Sequence, residues 1–154
     1  MLAGLIPANA VAQTTVTGTF NVRITIQPEC EIVSMTDLDF GTEGVLNTNV
    51  DSTNLINVRC TNGTPYTLAL DAGTGTGATC ASRLMVGPTG TVTYSIYTTA
   101  ARTTVWCDGT GGSSTQAGTG NGTTQPWTGY GRVPAQTTPE PDPYTDLITV
   151  SLTF

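Results

Sequence analysis

The chain has 154 residues, a formal net charge of −6 and only 10% charged residues; all five cations are Arg, and there is no His. That length suits one domain with a real core. The charge leaves nothing to neutralise a run of phosphates, so nucleic acid is excluded as a partner. No apolar run approaches the ~20 residues of a membrane-spanning helix, and Arg23, Arg59, Arg83, Arg102 and Arg132 are scattered, so neither membrane insertion nor basic membrane docking is expected.

Residues 1–12 read as the remnant of a secretory signal, with Ala10-Val11-Ala12 as the cleavage motif and Gln13 as the first mature residue. The charged start of such a signal is missing. About one residue in five is Thr, and 18 are Gly. Thr suits pleated surfaces, and Gly and Pro suit turns, so the composition is that of an all-β protein.

From Val16 to Ile26 apolar residues or Gly alternate with polar ones, as Val16, Gly18, Phe20, Val22, Ile24 and Ile26. Period-two alternation puts these side chains on one face of a strand. Such a strand can complete its own sheet or a neighbour's.

Four Cys in an exported chain suggest two disulfides out of three possible pairings, and we favour Cys30–Cys60 with Cys80–Cys107. Neither pair has C-x-x-C spacing, and His is absent, so no zinc site is expected.

Short strands are expected at Glu31–Met35, Leu38–Gly41, Leu55–Cys60 and Tyr66–Leu70. Asn62-Gly63 lies between two of these runs and is the strongest hairpin signal in the chain. Residues 71–78 read as a Gly/Thr-rich loop. Leu84–Val86, a turn at Gly87-Pro88, and Val92–Tyr97 follow. Thr103–Cys107 and Trp127–Val133 are further strands. Residues 108–125 fit either a loop or a long hairpin. Residues 139–143 form a stiff acidic connector. The last strand, Leu147–Phe154, puts Ile148, Val150, Leu152 and Phe154 on one face. About seven short strands separated by turns indicate an immunoglobulin-like β-sandwich.

No catalytic constellation is present. Without His or Lys, the usual general bases and the Ser-His-Asp arrangement are missing. Asp37, Asp39 and Asp108 sit near strand ends and read as turn-capping carboxylates. Glu140, Asp142 and Asp146 could offer oxygens to Ca²⁺, but their spacing fits no EF-hand, and a solvated linker explains them better. No metal or cofactor is expected. Trp106, Trp127, Tyr130 and Tyr144 read chiefly as core. As an exposed aromatic face they would instead mark a secreted carbohydrate-binding module.

Several segments together resemble the spore coat protein U domain family, which includes the subunits of archaic (Csu-type) chaperone–usher pili. They are Val58–Leu70, Tyr94–Tyr97, Ala101–Gly109, Tyr130–Pro134 and Tyr144–Asp146 with the alternating strand that follows. The resemblance runs from Val16 to Phe154. One departure is Cys107, which stands where the family pattern has a Gly before Asp108-Gly109. A Cys80–Cys107 link would therefore be an addition to that pattern.

The resemblance implies an incomplete sandwich, residues 29–154, completed by donor-strand exchange. Its terminal strand (Ile148, Val150, Leu152, Phe154) would border an open groove. Residues 13–28 would be the donor strand, with Val16, Phe20, Val22, Ile24 and Ile26 filling pockets of a neighbouring subunit and Gly18 at a shallow one. The implied partners are neighbouring pilin subunits, a periplasmic chaperone and an outer-membrane usher. The implied location is an extracellular pilus reached through the periplasm, with adhesion and biofilm formation as its role. A spore-coat or surface-layer component assembled without an usher is the other structural reading.

Overall fold

The structure is a computed structural model describing residues 12–154; the expected signal remnant lies almost entirely outside the described residues. It contains eight strands: β1 (Cys30–Met35), β2 (Val50–Cys60), β3 (Pro65–Leu70), β4 (Arg83–Val86), β5 (Thr91–Tyr97), β6 (Gln116–Thr119), β7 (Thr124–Val133) and β8 (Val150–Thr153). They form two sheets, ordered β1-β2-β7-β5-β4 and β6-β3-β8, and every strand ladder is antiparallel.

The core lies between the sheets. Ile56, Val58, Tyr94, Ile96 and Val133 face Tyr66, Leu68 and Leu70 across it. Trp106 is fully buried and joins the two layers. Its backbone N–H donates to Ile96 of β5 at 2.8 Å, and its indole N–H donates to the Leu68 carbonyl of β3 at 3.1 Å. A buried indole N–H needs such an acceptor, because an unpaired one costs about 1–3 kcal/mol.

Three expected elements differ from the observed ones. Asn62-Gly63 is a turn, with Gly63 at φ +82°, but it joins two sheets rather than forming a hairpin. β2 is already hydrogen-bonded on both sides, by β1 and β7, which leaves β3 no edge to pair with. The Gly63 and Gly120 amides, donating to Gly120 and Thr64, pin the crossing. Leu38–Gly41 is not a strand; Leu38 and Phe40 pack on the core while Asp39 accepts the Gly41 amide. Thr103–Cys107 makes only single bridges, Tyr97 to Val105 and Trp106 to Ser114. Residues 108–125 form no long hairpin: a loop leads to β6, which pairs with β3 in the other sheet and not with β7.

Both favoured disulfides are present. Cys30–Cys60 ties β1 to β2 with the Cα atoms 4.1 Å apart, and Cys80–Cys107 ties the loop before β4 to the segment after β5. Closing a loop of 30 residues mainly restricts the unfolded chain. Replacing Cys30 and Cys60 together by Ala is expected to cost about 3 kcal/mol. Urea unfolding checks this, as a lower midpoint with native secondary structure retained below it.

Candidate functional site

Two parts of the structure stand out among the described residues. The first is the N-terminal segment. Residues 12–29 join neither sheet, and Val16, Phe20, Val22 and Ile24 are 91%, 88%, 85% and 84% exposed. Ile26 and Gly18 are exposed as well. The alternating run therefore does not complete its own sandwich. Its root is fixed: the Glu29 amide donates to Thr61 Oγ1 and the Thr61 amide donates to the Glu29 carbonyl, both at 2.9 Å.

The second part is a seam between the sheets. β1 ends the five-stranded sheet and β8 ends the three-stranded one; they approach within 8 Å but form no ladder with each other. Their inward faces are only partly covered. Leu152 lies opposite Leu68, and Val150 opposite Leu70, both partners being buried. On the other side Ile32 lies opposite buried Val58, and Met35 opposite buried Ile56. A bulge at Val33 resets the pleat, so that residues three apart share one face. Met35 is nevertheless 54% exposed. The apolar seam is therefore lined by Ile148, Val150 and Leu152 on one wall and by Ile32 and Met35 on the other.

The sequence reading put Ile148, Val150, Leu152 and Phe154 on one face; it did not single out Ile32 and Met35, because the bulge breaks strict alternation across residues 30–35. Phe154 lies beyond the end of β8 and is 59% exposed. The strand is also shorter at its start than the expected Leu147–Phe154. Side chains explain this. The Leu147 amide donates to Asp146 Oδ1 at 2.8 Å and the Thr149 amide to Asp71 Oδ1 at 3.0 Å, so these groups leave the ladder.

A buried polar network stands behind this lead-in. Arg83 is fully buried and donates to three carbonyls: Asp71 (2.7 and 3.0 Å), Trp106 (2.9 Å) and Cys80 (3.2 Å). Asp146 accepts the Tyr94 hydroxyl at 2.7 Å and both the amide and hydroxyl of Thr74, at 2.8 and 2.9 Å. Burial, then the Asp146 carboxylate, push the Tyr94 hydroxyl well above its ordinary range. Burial pulls the Arg83 guanidinium down, opposed by the charges around it. Burial alone would raise Asp71, but hydrogen bonds from Thr149 and Gly73, with Arg83 nearby, hold its carboxyl below the usual range. No spacing joins these residues, which come from four separate segments, although Tyr94 and Asp146 lie in segments that carry the family resemblance.

The other candidates resolve into structural roles. Asp146 is taken up by Tyr94 and Thr74, while Glu140 and Asp142 remain exposed, so the three do not form a joint oxygen cage. Asp108 caps its own turn through Thr110. The aromatic residues do not share a face. Trp106 is in the core, Trp127 meets Tyr66 edge-on at 6.4 Å, and Tyr130 lies under Arg102 at 5.8 Å. Tyr144 packs by Gly87. A Cys80, Cys107 and Asp108 cluster has ligand-type atoms, but its two sulfurs are joined to each other.

The family model for the Spore Coat Protein U domain matches residues 16–151. The chain belongs to this family. The match takes in the exposed N-terminal segment, both disulfides and the start of β8. A comparison with curated proteins finds no match. Among solved structures, the fold is similar to a chain of the CsuC–CsuE chaperone–tip adhesion subunit pre-assembly complex, from the archaic chaperone–usher Csu pili of Acinetobacter baumannii. That likeness has a TM-score of 0.61 at 24% identity; it covers 84% of this chain but only 40% of the other. A chaperone–usher pilus structure described for its rod uncoiling matches at TM-score 0.55 and 17% identity, covering 96% of this chain and 99% of that one. At these identities the likeness establishes the fold, an all-β sandwich of the kind seen in pilus subunits.

Two outcomes follow from the network. A Cβ at Gly73 would land on the Asp146 carboxylate, and Gly73 has φ +82°. Gly73→Ala is therefore expected to destabilise by about 1–3 kcal/mol, read as a lower thermal midpoint. The second concerns acid. Asp71 and Asp51 are both held below the ordinary carboxylate range, Asp51 first by its hydrogen bond from Arg132. A depressed folded pKa stabilises above the unfolded value of about 3.9 and loses that stability as pH falls through the folded value. Urea midpoints are expected to drop steeply below about pH 4. Asp71→Asn should lose less between pH 6 and pH 3 than the parent.

Proposed function

We propose that this chain is a structural pilin subunit of an archaic chaperone–usher pilus, polymerising by donor-strand complementation. The observation that carries the reading is a pair of matched deficiencies in one chain. An alternating apolar segment lies outside both sheets, and an apolar seam between β1 and β8 is only partly covered by the described residues. Residues 13–28 act as the donor and residues 29–154 as the accepting body.

Val16, Phe20, Val22, Ile24 and Ile26 of one copy enter the seam of the next, along Ile148, Val150, Leu152 and Phe154. Gly18 sits where the seam is shallow. The inserted strand's N–H and C=O groups pair with the free edge of β8, as in other strand additions. Burying five such side chains contributes ~1.5–3 kcal/mol each, on the order of 10 kcal/mol before ordering costs are subtracted. A joint of that strength persists. Before assembly the open seam needs cover, because an exposed apolar edge aggregates. A periplasmic chaperone fills that role, and an outer-membrane usher is the site of exchange. The product is an extracellular fibre serving adhesion and biofilm formation. Family membership and the pilus proteins among the structural neighbours support this reading over a coat component or a sugar-binding module.

Unheated SDS gel electrophoresis tests it. The chain from Gln13 is expected to give a ladder of SDS-resistant polymers. Phe20→Asp, or a chain starting at Pro28, should abolish the ladder. A soluble, stable monomer from the unaltered chain would overturn the proposal.

A further inference from the structure

Ile148 stands at one end of the seam but outside the β8 ladder, so something other than sheet pairing must hold it inward. Its two neighbours are both tied. On one side the Leu147 amide donates to Asp146. On the other, the Thr149 amide donates to the Asp71 carboxylate and the Asp71 amide donates to the Thr149 carbonyl at 3.1 Å. Asp146 is itself fastened to Thr74 in the Gly/Thr-rich loop of residues 71–82.

That loop has little intrinsic order. It carries three Gly at residues 73, 75 and 77 and joins strands of different sheets. Its far end is Cys80, linked to Cys107. Both halves of the disulfide reach the seam. Arg83 takes the carbonyls of Cys80, of Trp106 next to Cys107, and of Asp71. The Cys107 carbonyl accepts the amide of Leu70 at 3.3 Å, and Leu70 is the β3 partner of Val150.

We propose that the Cys80–Cys107 disulfide is a clasp that holds the Ile148 end of the seam open for an incoming strand, with Arg83, Asp71 and Asp146 as its positioning residues. The inference rests on the donor-strand reading above. Without the clasp the loop carries Thr74 away from Asp146, and the β8 lead-in loses that anchor. Ile148 then samples other positions, and only a fraction of molecules present a complete wall. Apparent affinity for a strand falls by that fraction.

The test separates accepting from donating. The full chain carrying Phe20→Asp cannot donate but keeps its seam. Its uptake of a fluorescent synthetic peptide of residues 13–27 is followed by anisotropy, with circular dichroism confirming the fold. Three further variants are built on that background. Cys80→Ala with Cys107→Ala is expected to bind the peptide about tenfold more weakly. Asp146→Ala, with the disulfide intact, should show the same loss. Asp146→Asn keeps an acceptor for Thr74 and Leu147 and should bind as the parent does; urea midpoints of the variants separate a lost wall from lost global stability, because the Asp146→Ala peptide affinity is expected to fall even where the protein remains fully folded. If the cysteine variant does not fold, the Asp146 pair decides alone. Equal uptake by parent and clasp variants would overturn the clasp and leave the donor-strand reading standing. A folded Phe20→Asp parent that takes up no peptide would overturn that reading, and the clasp with it.

Discussion

A sheet edge must be paired, covered or blunted, and among the described residues two edges meet at an apolar seam that is neither paired nor fully covered. β1 and β8 close their sheets without closing the sandwich. Their inward residues pair with some of the most deeply buried positions of β2 and β3, yet remain partly open themselves. The core is thus continuous with the surface along one line. Other features of the chain serve that line. The bulge at Val33 keeps Ile32 and Met35 on the same wall, and the disulfide at Cys30 holds that wall to β2.

A second dependence runs through Arg83. An arginine with no exposed surface is costly to bury unless every N–H finds an acceptor. Here the acceptors are backbone carbonyls from both ends of the 71–82 loop and from Trp106, so the charge acts as a knot between them. The carboxylates of Asp71 and Asp146 lie close enough to influence it, and both also receive amides from the stretch leading into β8. The same polar cluster therefore fixes a loop with little order of its own and sets one end of the seam.

Much of this fold was legible in the sequence because alternation survives wherever one face is buried. Strands β3 and β5, the turn at Gly87-Pro88 and both disulfide pairs follow the sequence reading closely, while β2 and β7 begin five and three residues earlier than expected. The expectation of a hairpin at Asn62-Gly63 was right about the turn and wrong about the sheet. Local chemistry specifies a reversal, but which strand receives it depends on β7, more than 60 residues away. Leu38 and Phe40 alternate as a strand would, yet pack on the core from a loop. The alternation of residues 16–26 and of residues 148–154 was visible as a period. The Ile32 and Met35 wall was hidden by the bulge. The Arg83 network was hidden more completely, because its members share no spacing and meet only in three dimensions.

The fastening of the N-terminal segment has a mechanical meaning. Tension applied along that segment enters the body at Glu29, which is clipped to Thr61. One residue further on it meets the covalent Cys30–Cys60 link. Force is thereby transferred to β2, a strand held by hydrogen bonds on both sides, before it reaches the rest of β1. Load on the N-terminal segment is therefore passed to β2 through a covalent bond, and the hydrogen bonds of the β1 ladder beyond Cys30 are not its first support.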